Sequence, residues 1–248
     1  MRYFLEIAYN GKHYHGWQVQ QNAHAIQSQF NAALQQLFGK AIETIASGRT
    51  DTGVHASQQF VQLDLDIPFT GDHLFSLNRI LPYDIAVISV KEVVPDAHAR
   101  FDALSRKYEY RICRNKNPFM RDVTYYFSKS LSLEKMNAAC AMLQKFEDFE
   151  CFSKVHTAVD HFRCTIFEAY WKEEDGFLIF TIEANRFLRG MVRAIVGTLI
   201  EIGLERQAPE QIEKVILSKD RKAAGRSVPP HGLFLTEVRY PESIWVRQ

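Results

Sequence analysis

The 248-residue sequence has no long apolar run, and no window reaches the roughly 18 apolar residues needed to span a bilayer. Its opening, MRYFLEIAYN, alternates as a strand and lacks the apolar stretch of a signal peptide, which predicts a cytoplasmic chain without a membrane segment. Cysteine is sparse. Cys113, Cys140, Cys151 and Cys164 include no C-x-x-C pair, and a chain of this length builds a core without disulfides, so all four read as reduced thiols. There is no P-loop, no G-x-G-x-x-G and no G-x-S-x-G, so nucleotide cofactors and serine hydrolysis have no motif. Charge of one sign is also missing. A net charge of +1 gives no global pull on a polyanion, so a nucleic-acid surface would have to be local.

Two local concentrations of base are present. Arg100, Arg106, Lys107, Arg111, Arg114, Lys116 and Arg121 are interleaved with Phe101, Tyr108, Tyr110 and Phe119. That mixture suits phosphate contact and base stacking, but it equally suits a solvated strand face. Arg186, Arg189 and Arg193 follow at spacings of three and four, which would set all three on one face of a helix predicted from about Phe187 to Ile202.

Period-two alternation predicts strands over 2–9, 41–47, 57–66, 84–94, 105–114, 122–128, 164–172, 177–184 and 233–240. Helical spacing predicts helices over 25–39, 72–80 and 132–145, with a shorter one after Pro209. This order suggests an α+β protein of two similar units, 1–104 and 105–248, each a sheet with helices on one face. No proline-, serine- or glycine-rich linker separates them.

Between the predicted strands 41–47 and 57–66 lies 48-GRTDTGVHA-56, where Asp51 sits two residues after Arg49 and two before Gly53. Asp, Thr and Gly are ordinary turn residues, so a hairpin connection is one reading and a catalytic carboxylate the other. Asp-Thr-Gly is also the aspartic-protease tripeptide, but that chemistry needs two carboxylates sharing a proton. Here the tripeptide occurs once, beside a cation that would oppose proton sharing. Cys151, His156, His161 and Cys164 form C-x4-H-x4-H-x2-C, whose gaps are too long for a usual zinc knuckle, so no metal is expected. His13 and His15 in 11-GKHYHGWQ-18 have no third ligand at a recognisable spacing.

Five blocks occur together: 9-YNGKHYHGWQ-18, 47-SGRTDTGVHA-56, 98-HARFDALSRKYEYRI-112, 187-FLRGMVRAIVG-197 and 229-PPHGLFL-235. In that order they resemble the TruA-type tRNA pseudouridine synthases almost end to end, with Asn10 where the family often has Asp and Thr52 where it often has Ala. The resemblance implies two ferredoxin-like (RRM-like) halves sharing a continuous, mainly antiparallel sheet, with a central active-site cleft. It also implies a homodimer acting on uridines 38, 39 and 40 in the anticodon arm of tRNA. Asp51 matches the family's catalytic aspartate, Arg49 a residue that orients and pairs with it, and Tyr108 a tyrosine that stacks on the target base. Arg100, Arg186, Arg189 and Arg193 are candidates for RNA contacts.

The chemistry agrees with that resemblance. Pseudouridine formation breaks N1–C1′ and makes C5–C1′ with no change of redox state or atom count, so no cofactor is demanded. It does demand an ionised carboxylate, which aspartate supplies at neutral pH. The residues leave open whether Asp51 attacks C1′ or C6 or acts as a base. They also leave Tyr110 on the same strand face as Tyr108. A non-catalytic RNA-binding module would keep the bases and aromatics, yet would have no use for a carboxylate among phosphate contacts.

Overall fold

A computed structural model describes residues 1–154 and 160–246. Among these, nine strands and five α-helices make a mixed α/β protein of two compact units, Met1–Leu104 with Phe234–Gln248, and Ser105–Leu233.

The first unit begins β1 (Arg2–Tyr9), α1 (Ile26–Phe38), β2 (Ile45–Ala46), β3 (His55–Asp64), α2 (Gly71–Ile80) and β4 (Ile85–Val93). Strand β1 is antiparallel to both β3 and β4, and β2 is antiparallel to β3. Phe4, Leu5 and Ile7 of β1 are fully buried, as are Ile26, Phe30 and Leu34 of α1, which recur at helical spacing. Gly39 closes α1 in the left-handed conformation, its N–H donating to the Gln35 carbonyl. A capping box of Thr70 and His73 opens α2.

The second unit runs β5 (Ser105–Cys113), β6 (Tyr125–Tyr126), α3 (Leu133–Leu143), β7 (Ile166–Glu174), β8 (Phe177–Ala184), α4 (Met191–Gly203) and α5 (Gln211–Ser218). Strand β8 is antiparallel to β5 on one side and β7 on the other, while β6 runs parallel to the end of β5. Asp175 and Gly176, both at positive φ, turn β7 into β8 as a tight hairpin. Eleven of the thirteen residues of α4 are buried, which makes it the core helix of this unit.

The same device anchors a helix to an outermost strand in each unit. In the first, Asn78 of α2 donates to the Val87 carbonyl and accepts from the Val87 amide, both at 2.8 Å. In the second, Asn137 of α3 does the same to Trp171, at 3.0 and 2.7 Å. Each asparagine satisfies two backbone groups that the sheet leaves unpaired.

Four expectations change. The sequence reading assigns 105–248 to the second half, but the last strand, β9 (Leu233–Arg239), lies almost wholly in the first unit. It pairs parallel with β3, His55 opposite Phe234 and Ala56 opposite Leu235, and the Val238 amide donates to Gln58 Oε1. A strand's partner is not written in its own alternation. The strands expected over 41–47 and 122–128 shrink to Ile45–Ala46 and Tyr125–Tyr126. The helix expected from Phe187 starts only at Met191, because Gly190 sits at φ 73° and interrupts the helical backbone. Among the described residues, no helix is long and apolar enough to cross a membrane.

Candidate active site

Asp51 lies in the link between β2 and β3, and the surrounding chain holds that link on several sides. At its start the Ser47 amide donates to the Phe60 carbonyl and Ser47 Oγ accepts from the Phe60 amide. In its middle the Tyr9 hydroxyl lies 2.8 Å from Thr50 Oγ1 and donates to Gln59 Oε1 at 2.8 Å, while Gln59 Nε2 donates to the Gly48 carbonyl. Tyr9, Thr50 and Gln59 are all buried. Gly53 turns the chain at φ 76°, and the Val54 amide donates to the Asp51 carbonyl.

A second loop, 10–17, lies against the first. The Trp17 amide donates to the Thr50 carbonyl and the Gly53 amide to the Tyr14 carbonyl. The Gly11 amide donates to His55 Nδ1, and the His55 ring stacks on Phe234 with centroids 4.6 Å apart. The approach is close enough to require glycine twice: a Cβ on Gly11 would stand 2.0 Å from the Val54 carbonyl oxygen, and one on Gly16 2.4 Å from that of Thr50. The block 9-YNGKHYHGWQ-18 therefore serves the aspartate loop, which its composition alone does not reveal.

The remaining candidates fall in different places. Arg49 shares the loop with Asp51, but its side chain is exposed and no ion pair between the two forms among the described residues. Arg100 sits in a turn held by His98, its guanidinium over the exposed Phe101 ring. The neighbouring Ala99 amide donates to Gln62, roughly 20 Å along β3 from His55, so the structure does not bring Arg100 to Asp51.

In the second unit, β5 separates the two tyrosines that sequence leaves equivalent. Tyr110 is fully buried, donates to the Pro229 carbonyl at 2.9 Å, and burial pushes its hydroxyl pKa far up. Tyr108 is only half-buried, its ring edge-on to Phe187 at 5.1 Å. Beside it Lys107 bridges Glu168 and the buried Glu183, at 3.0 and 3.3 Å, and Ser105 Oγ donates to Glu183 at 2.6 Å. Burial works to lower the Lys107 pKa, but those two carboxylates raise it overall.

The three arginines do not share a helical face. Arg186 and Arg189 precede α4, and only Arg193 lies in it, with Nε donating to the Val228 carbonyl at 2.7 Å. Arg186 reaches the His161 ring, 3.3 Å from Nε2. Of the Cys/His cluster, Cys151 and Cys164 are buried, and burial pushes their thiols up to about 12 and about 11, which disfavours metal-binding thiolates. His156 lies outside the described residues. Among those described, no three His, Cys, Asp or Glu side chains are arranged to hold a metal.

Sequence reasoning overlooks Tyr9, Thr50 and Gln59. The available signal is a polar side chain at the inward position of a strand, as at Gln59 in HASQQFVQLD.

A family model described as tRNA pseudouridine synthase matches residues 139–241. The chain is 46% identical over 247 residues to a tRNA pseudouridine synthase A of Parabacteroides distasonis, covering 98% of both proteins. It is also 46% identical over 247 residues to that of Bacteroides fragilis, again with 98% of both covered. With that of Exiguobacterium sibiricum it shares 37% over 243 residues, 98% of each. The chain belongs to the tRNA pseudouridine synthase family, whose members are isomerases.

Proposed function

We propose that this protein isomerises uridine to pseudouridine at positions 38, 39 and 40 of the anticodon stem-loop of tRNA, acting in the cytoplasm as a homodimer without a cofactor. One observation carries the reading: Asp51 stands on a loop fixed by buried hydrogen bonds and by a second loop whose glycines allow backbone-to-backbone approach. A turn that merely joins two strands needs no such support, whereas a reacting group must be held in position.

In this reading Asp51 is the nucleophile. Arg49, exposed beside it, closes on the carboxylate once RNA excludes water. The half-buried Tyr108 stacks on the detached base, while the buried Tyr110 holds the strand. Arg186, Arg189 and Arg193 contact phosphates, Arg193 from a side chain already braced by Val228, and Arg100 contacts RNA away from the reacting base. The two halves are ferredoxin-like: the first orders its strands β4-β1-β3-β2 around two helices, and in the second β8 lies between β5 and β7.

Purified protein incubated with unmodified tRNA transcripts, followed by pseudouridine mapping, tests the proposal. Conversion at 38, 39 and 40 is expected. No conversion would refute the activity, and conversion elsewhere would refute the positions.

A further inference from the structure

Between β5 and β6 the chain makes a turn, 114-RNKNPFMR-121, that the candidate site does not use. At its tip Phe119 is 93% exposed, far more than Tyr126 at 51% or Phe167 at 50% in the same unit. A whole phenyl ring in water is unfavourable, and nothing in the turn lets it fold back. Asn117 Oδ1 accepts from the Phe119 amide at 3.0 Å, and Pro118 fixes the backbone between them. The Met120 amide donates to the Asn117 carbonyl, the Val123 amide to the Met120 carbonyl, and Thr124 Oγ1 to the same Met120 oxygen. The feet are tied as well, Ile112 opposite Tyr125 and Cys113 opposite Tyr126, with the Phe127 amide donating to the Cys113 carbonyl. The ring is held out rather than left loose.

Its surroundings identify the partner. Lys116 and Arg121 are exposed, Arg114 is half-exposed, and none of the three forms an ion pair among the described residues. Residues 110–121 contain no acid. The nearest in sequence, Asp122, acts on His231. A fixed aromatic face among three unpaired cations matches an unstacked base flanked by phosphates. A two-fold contact between copies centred here would instead bring three cations from each chain together, which is repulsive.

We infer that Phe119 is a stacking platform for an unpaired base of tRNA, with Arg114, Lys116 and Arg121 gripping the adjoining phosphates. This rests on tRNA being the substrate, as proposed above. The site lies outside the residues assigned to the reacting uridine and serves to seat the RNA.

The test compares two probes, an unmodified tRNA transcript and a fully paired RNA duplex of equal length, bound to wild type, Phe119→Ala, Phe119→Trp and the triple variant Arg114→Gln/Lys116→Gln/Arg121→Gln. Loss of one stacked base predicts about tenfold weaker tRNA binding by Phe119→Ala, recovery by Phe119→Trp and no change on the duplex. The triple variant weakens both probes and lowers the slope of log affinity against log salt by about 2, at roughly 0.7 per phosphate on a single strand. Unchanged melting temperature and sedimentation should accompany Phe119→Ala, since so exposed a ring supports little. Equal tRNA affinity for Phe119→Ala and wild type would overturn the inference alone. Equal loss on tRNA and duplex would overturn base stacking, and a change of oligomeric state would assign the ring to a second copy. Failure of wild type to bind tRNA would overturn this inference together with the proposed function.

Discussion

The Tyr9 hydroxyl, on the last residue of β1, lies 2.8 Å from Thr50 Oγ1, one residue before Asp51. Tyr9 thereby couples a core strand to the loop that carries Asp51, and Gln59 extends the link back to Gly48. Tyr9→Phe keeps the ring and removes the hydroxyl, leaving buried Thr50 and Gln59 each short of a partner. A stability loss of about 1–3 kcal/mol is expected in denaturant melts. Single-turnover pseudouridine formation should slow while tRNA affinity holds. Loss of stability with an unchanged rate would make Tyr9 a core residue only.

Asp51→Asn keeps the shape and turn-forming capacity of the side chain while removing its charge. Folding and tRNA binding should survive, and tritium release from tRNA labelled at uridine C5 should stop, because C5 gives up its hydrogen only on turnover. Release at the wild-type rate by folded, tRNA-binding Asp51→Asn protein would falsify the catalytic assignment.

Gly16 and Gly39 both have positive φ, 88° and 72°, but only Gly16 faces another backbone, that of Thr50 and Asp51. Gly39→Ala meets open space and should cost about 1 kcal/mol, the penalty of the left-handed conformation. Gly16→Ala adds a Cβ 2.4 Å from a carbonyl oxygen, so it should destabilise several-fold more and abolish turnover. Paired thermal melts and tritium assays read the difference.

His231 has its pKa lowered, chiefly by burial and further by Arg193, against the raising effects of Asp122 and the Thr124 backbone. Its neutral form is preferred in the folded state, so the unfolded chain binds more protons between the folded pKa and the ordinary imidazole value near 6.5. Stability from this group is therefore full above about pH 6.5 and is lost as pH falls through the folded pKa. Melting temperature measured from pH 8 to 5 should fall more steeply for wild type than for His231→Gln. Parallel curves would remove His231 from the account.

Dialysis against EDTA should leave turnover intact, since the isomerisation needs no metal. Stoichiometric zinc lost together with activity would return the Cys151 and Cys164 region to consideration.

The elements with strong periodicity were legible in the sequence: β1, α1 and β8 lie where alternation or helical spacing puts them, and Gly39 ends α1 as a C-cap should. Pairings across long stretches were not, and β9 is the example, because its alternation is equally compatible with any neighbour. The arginine face failed for a local reason. Spacings of three and four imply a face only if the backbone is helical throughout, and Gly190 starts the helix after two of the three arginines. At the site, Asp51 stood out as a charge in a turn, whereas Tyr9 and Gln59 looked like ordinary strand residues. Their roles depend on which side chains meet after folding, and Tyr9 and Thr50 are 41 positions apart.

Asn78 and Asn137 each occupy one N–H and one C=O on the rim of an outermost strand. A foreign strand seeking to extend either sheet finds that rung already taken, so these side chains act as guards against copies zipping together edge to edge. Losing one of them would show less in a turnover assay than in the shelf life of a concentrated sample, as turbidity that grows while the protein left in solution keeps its rate.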